Sequence, residues 1–96
     1  MAGLLIGYML NESGRDVVII DAAEIASGNT KNTTAKITSQ HNLIYDTLIN
    51  EFGEDKARQY AKANELAIAK YKEIIEKRKI DCDFQQLPSY VYSRCV

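Results

Sequence analysis

Apolar side chains crowd the first turns of the chain, at Leu4, Leu5, Ile6, Tyr8, Met9 and Leu10. The pattern predicts a helix over 3–13 that is apolar around most of its circumference, as a buried helix is. Gly14 stands where a helix-terminating glycine belongs, and Arg15-Asp16 makes the turn. Val17-Val18-Ile19-Ile20 is a β-branched run without alternation. It predicts a strand over 17–20 covered on both faces, as in a parallel sheet. The run ends on an acid, Asp21.

Residues 22–41 are rich in Ser, Thr, Asn and Gly and read as a loop, with one short helical turn at Ala22–Ala26 and an extended piece at 36–39. A loop this long in a small domain points to a functional segment. Leu43, Ile44, Leu48, Ile49 and Phe52 then form a helical stripe over 43–52, closed by Gly53. A second helix over 54–79 opens on Glu54-Asp55 and ends on Lys77-Arg78-Lys79, acids and cations each at the terminus that favours them. Its stripe is Ala57, Tyr60, Ala61, Asn64, Ala67, Ile68, Tyr71, Ile74 and Ile75, with Lys72–Glu76 and Glu73–Lys77 paired on the wet face. The tail, with Phe84, Tyr90, Val91 and Tyr92, reads as short strands within 84–93, broken at Leu87-Pro88.

With 96 residues, the chain supports at most one small domain. Its net charge of −1 makes no electrostatic case for nucleic acid or an anionic membrane. The run Leu4–Leu10 is far shorter than the roughly 20 apolar residues that cross a bilayer, and it lacks the flanks of a signal peptide. No membrane span and a cytoplasmic location are therefore expected. Cys82 and Cys95 have no nearby His and no metal spacing, so both are expected to be reduced thiols.

Helix, turn, β-branched strand and terminal acid follow one another as in the second half of a dinucleotide-binding βαβ unit. From Gly3 to Asp21 is 21 − 3 = 18 positions, close to the separation of about 20 in the dinucleotide fingerprint. Gly3 would be its third glycine, the one that lets helix and strand pack closely. The same order is common in α/β proteins, so spacing alone leaves a purely structural role open.

The wider run resembles the amino-terminal region of flavin-dependent oxidoreductases of the D-amino-acid oxidase/glycine oxidase type. It is most similar to bacterial members that can carry an added Rieske iron–sulfur domain. The carrying pieces are Gly3-Leu4-Leu5, Gly14 with Val17-Val18-Ile19-Ile20-Asp21, Ala26-Ser27-Gly28-Asn29-Thr30, and Asn32-Thr33-Thr34-Ala35-Lys36-Ile37-Thr38-Ser39-Gln40-His41. Leu43-Ile44-Tyr45-Asp46 and Phe52-Gly53-Glu54-Asp55-Lys56-Ala57 continue it.

The resemblance implies an α/β fold, a partial Rossmann-like domain that is helix-rich by itself, spanning 1–96 as one incomplete FAD-binding domain. It implies FAD as cofactor, held by Gly3 at the phosphate-binding turn, Asp21 at the ribose and Ala22 near the adenosine. Asn29 and Thr30 would lie near the pyrophosphate, with Thr34, Ala35 and Lys36 beside the flavin. It implies oxidation of an amine or amino-acid-like substrate, with the substrate-choosing residues beyond Val96. His41, the sole histidine, is expected to be structural rather than catalytic; no catalytic residue and no metal ligand is assigned.

The first strand and first two glycines of the motif are not in the sequence, so the expectation is a fragment that is inactive alone and does not hold FAD tightly. The competing expectation is a small helical protein with a vestigial dinucleotide-like start, forming a homodimer through helices 43–79, with Asn64 setting register.

Overall fold

The computed structural model describes residues 1–92. Among these residues form three α-helices and one short 3₁₀ turn: α1 (Ala2–Glu12), the turn Gly28–Thr30, α2 (Ile44–Phe52) and α3 (Glu54–Arg78). The chain divides into two compact units, Met1–Lys36 and Ile37–Val96. No helix among the described residues is long and apolar enough to cross a membrane.

In the first unit, α1 ends as the glycine at 14 dictates. Gly14 takes φ +80°. Its N–H donates to the Asn11 carbonyl at 2.9 Å and the Arg15 N–H donates to the Leu10 carbonyl at 3.1 Å. These two bonds are the Schellman closure, which satisfies carbonyls that the helix end would otherwise orphan. The chain then folds back along α1. A Cβ placed on Gly7 would lie 2.7 Å from Ile19 Cδ1 and 3.4 Å from Val17 Cγ1, so the returning chain touches the helix at Gly7, the one buried residue of α1. Val17 and Ile19 thus face α1, while Val18 and Ile20 are 85% and 89% exposed. That alternation is the period of an extended chain.

Two expectations need correction here. Residues 17–20 are extended along α1 but pair with no other strand, and no β-strand forms among the described residues, 84–92 included; residue 93 lies outside them. The expected α/β fold is therefore seen only in its helix-rich part. A strand is defined by a ladder partner, and the described residues supply none. For the same reason α1 is not buried: Leu4, Ile6, Met9 and Leu10 stay exposed, because only the Gly7 side is covered. A 3₁₀ turn forms at Gly28–Thr30 rather than a helical turn at 22–26, and Ala35, just ahead of the extended piece expected at 36–39, takes φ +52°.

In the second unit, α2 and α3 pack as a helical hairpin joined by one residue, Gly53. Gly53 adopts φ 84°, ψ 163°, a region open essentially to glycine alone. Its N–H closes α2 on the Ile49 carbonyl at 3.0 Å and its own carbonyl accepts from Ala57 at 3.2 Å. Ala57, 4% exposed, is the buried core of the hairpin. The α3 stripe falls inward as expected at Tyr60, Ala61, Asn64, Ile68, Tyr71, Ile74 and Ile75, all half-buried, whereas Ala67 is exposed. Asn64 fits this stripe because its amide donates to the Tyr60 carbonyl at 2.9 Å, within its own helix. On the wet face Lys72 reaches Glu76 at 3.9 Å, while Glu73 takes Lys70 at 2.8 Å.

Candidate functional site

All eight candidate residues belong to the first unit, and the fold explains how several come to one end of it. The chain returning from Gly14 touches α1 at Gly7 through Val17 and Ile19. Four helical residues from Gly7 back to Gly3 rise about 6 Å, and two extended residues from Ile19 on to Asp21 advance by a similar length. Asp21 is thereby carried to the amino-terminal end of α1, the end that holds Gly3. The loop comes to that end as well: the Met1 amino group donates to Thr30 Oγ1 at 3.2 Å. The loop hydroxyl of Thr30 is held at the helix N-terminus, where the dipole favours anions, and the chain register directs the Asp21 acid toward the same end.

Each local shape follows from its residues. Asp21 Oδ1 accepts the Ala23 N–H at 3.0 Å, an aspartate turn that fixes the carboxylate and bends the chain away at Ala22. Gly28, at φ +78°, opens the 3₁₀ turn that holds Asn29 and Thr30. The Asn32 amide donates back to the Gly28 carbonyl at 2.9 Å, so Asn32 acts as the clasp of the loop. Thr33 Oγ1 accepts the Ala35 N–H at 3.2 Å, setting the left-handed Ala35 between Thr34 and Lys36.

Thr34, Ala35 and Lys36 are exposed and make no described contact with Asp21 or with α1. Of the candidates, Thr30 alone lines the open depression of about 260 Å³ in this loop; its other walls are Glu24, Ile25, Ala26, Ser27 and Lys31. Gly3 has nothing within 4 Å of a Cβ built on it. The close helix–chain contact expected at Gly3 is made at Gly7. The signal for Gly7 was present in the sequence, as a glycine inside an otherwise apolar helix. Glu24, Ser27 and Lys31 carried no such signal. Among the described residues no group of three His, Cys, Asp or Glu side chains could hold a metal ion. Cys82 is an exposed free thiol, and Cys95 lies outside the described residues.

In the second unit, His41 is tied to the hairpin. Its Nδ1 shares a hydrogen bond of 2.7 Å with the Tyr60 hydroxyl, and its ring meets Tyr60 edge-on at 5.9 Å between centroids.

The chain is similar to known proteins. The model of a family described as FAD dependent oxidoreductase matches residues 1–94. A Bacillus subtilis (strain 168) protein, YhfW, provisionally named a Rieske 2Fe-2S iron-sulfur protein, is 40% identical over 93 residues. The match covers 97% of this chain and 18% of that relative, so the chain spans under a fifth of the protein it resembles. No solved structure matches the chain significantly.

Proposed function

The chain belongs to the FAD-dependent oxidoreductase family, and from that premise we propose that its first unit is the adenosine-facing part of an FAD site. The enzyme so assembled oxidises an amine or amino-acid-like substrate. What supports this is the register of the returning chain on α1 at Gly7, which directs Asp21 toward the α1 N-terminus, and the Met1–Thr30 bond that holds the loop at that end.

The residues fit that portion of the cofactor. Asp21 is exposed and held in a turn through Oδ1 alone, which leaves Oδ2 to accept from ribose hydroxyls. The first turn of α1 offers N–H groups and a positive dipole end to a phosphate. Thr30 and Asn29 stand in a loop already closed by the Asn32 clasp. Thr34, Ala35 and Lys36 would run beside the flavin. FAD, when bound, supplies the hydride-accepting chemistry. The chain's own residues bind and orient it, and none of the described ones is assigned a proton-transfer role.

Turnover belongs to a longer polypeptide in this reading, because these residues match only 18% of the relative. The relative's name adds a 2Fe-2S group to that longer protein and not to these residues.

The test is a titration of the purified chain with FAD and with FMN, which lacks the adenosine half. The expected result is weak FAD binding, weaker still in Asp21→Ala, with FMN indifferent to the substitution. Equal binding of both flavins, or no effect of Asp21→Ala on FAD, would overturn the assignment. Stoichiometric flavin in the protein as purified would instead refute the claim that the 96 residues hold it only weakly.

A second reading rests on α2. Ile49 and Phe52 lie three apart on its outer side and remain exposed, Phe52 by 62%. A homodimer through 43–79 would cover them. Sedimentation that shows a concentration-dependent dimer abolished by Phe52→Glu supports it, and a monomer at every concentration removes it.

A further inference from the structure

The segment Thr38–His41 leads into α2 without being part of it, yet three side chains of the hairpin hold it. Tyr45, on α2, donates its hydroxyl to the Ser39 carbonyl at 2.6 Å. Glu65, on α3, accepts from the Ser39 hydroxyl. Tyr60, on α3, bonds His41 Nδ1 at 2.7 Å and lies edge-on to its ring. Tyr45 and Tyr60 are themselves in edge-to-face contact at 6.0 Å, so the two phenols brace each other. Inside the segment, Thr38 Oγ1 accepts the Gln40 N–H at 3.0 Å, and the His41 carbonyl accepts the Ile44 N–H at 3.2 Å at the start of α2.

This is more anchoring than helix initiation needs. Ser39 is fixed at both its carbonyl and its hydroxyl, and the anchors come from both helices. A connector that only joined elements would leave these groups to water. Holding an imidazole by one nitrogen has a chemical consequence. A phenol is a better donor than acceptor toward a neutral imidazole nitrogen, so the Tyr60 hydroxyl fills Nδ1 and the ring proton is left on Nε2. Nε2 meets no partner among the described residues, and His41 is exposed.

We propose that Tyr60 is a positioning residue for His41. It fixes the tautomer with the proton on Nε2 and presents that N–H, on a segment strapped down by Tyr45 and Glu65, to an external hydrogen-bond acceptor such as a carboxylate or carbonyl oxygen. The inference does not depend on the flavin site, because every group in it belongs to the second unit.

The test uses the full 96-residue chain, labelled with ¹⁵N, at a pH of about 9, where a free imidazole is neutral. Long-range proton–nitrogen spectra of His41 read which ring nitrogen carries the proton. The wild-type ring is expected as a single tautomer protonated at Nε2. Tyr60→Phe, which keeps the ring packing and removes one oxygen, is expected to shift the Nδ1 resonance and admit the second tautomer. Glu65→Ala is expected to loosen the Ser39 amide in hydrogen exchange, and Glu65→Gln, which still accepts from the hydroxyl, to restore it. A wild-type proton on Nδ1 overturns the proposal whether or not any variant folds. An Nδ1 resonance unmoved by Tyr60→Phe in a folded chain overturns it as well. Titration of wild-type protein with acetate should shift the Nε2 proton, with a smaller shift in Tyr60→Phe; equal shifts in the two count against a positioning role.

Discussion

Replacing Gly53 by alanine tests the helical hairpin at its narrowest point. No steric neighbour opposes the change, since a Cβ on Gly53 meets nothing within 4 Å. The cost is therefore confined to the backbone. At φ 84°, ψ 163° an L-residue is held in a region that is essentially glycine's own, at about 1–3 kcal/mol. Alanine also stiffens the unfolded chain, which returns at most about 1 kcal/mol. The net expectation is a loss of about 1–2 kcal/mol. Relaxing the strain by rotating φ offers no escape, because the same residue closes α2 through its N–H and starts α3 through its carbonyl. A unit of this size has only a few kcal/mol of stability in total, so the loss is a large share of it. The melting temperature should fall by roughly 5–15 °C, at about 4–8 °C per kcal/mol for a small domain. Urea and thermal unfolding followed by far-ultraviolet circular dichroism measure it. Gly3→Ala is the control: it sits inside α1 with equally open space and no positive φ, so it should be neutral or stabilising by up to about 1 kcal/mol. A Gly53→Ala chain as stable as wild type would refute the argument that backbone conformation alone demands glycine there.

Three further substitutions bear on the rest of the chain. Gly7→Ala should crowd Ile19, whose Cδ1 would lie 2.7 Å from the new methyl; the cost should shrink in an Ile19→Ala background, with a coupling of about 0.5–1 kcal/mol in a double-mutant cycle, and strict additivity would deny the contact. Lys79 ends α3 at φ 52°, a left-handed conformation that L-residues resist by about 1–2 kcal/mol; Lys79→Gly should raise the unfolding midpoint despite glycine's entropy, and a lower midpoint would contradict that. Arg58→Ala removes an ion pair with Glu54 that is largely exposed on both sides, so the free energy of urea unfolding should change by less than about 0.5 kcal/mol.

The elements most legible in the sequence were those with strong periodicity and a local stop. The α3 stripe fell inward at nearly every expected position, and the glycines at 14 and 53 ended their helices as their type requires. The family was legible from the run Asn32–His41 and the acid at 21, and the family match over residues 1–94 bears it out. What misled was burial. A helix apolar on all sides and a β-branched run were read as covered, because residue pattern reports the environment a segment suits. Only neighbours decide whether that environment is present. Gly7 was overlooked for a related reason: a glycine inside a helix reads as a weakness until a chain is seen to pass against it. The His41 anchors were invisible because Tyr45, Tyr60 and Glu65 meet Ser39 and His41 only after α2 and α3 have folded together.

Exposure itself then becomes informative. Large apolar side chains stay exposed: Val18, Ile20, Leu4, Ile6 and Met9 in the first unit and Phe52 in the second. In the first unit, one side of 17–20 is satisfied by α1 at Gly7 while the other side and the backbone edge are open. A segment so placed is half of a packing arrangement: the Gly7 contact fixes its register on the helix, and that register is what carries Asp21 to the α1 N-terminus. The candidate site thus depends on a contact this chain makes for itself. Any grip on a ligand is the part that coverage of Val18 and Ile20 would strengthen, by stiffening the extended segment that leads to Asp21.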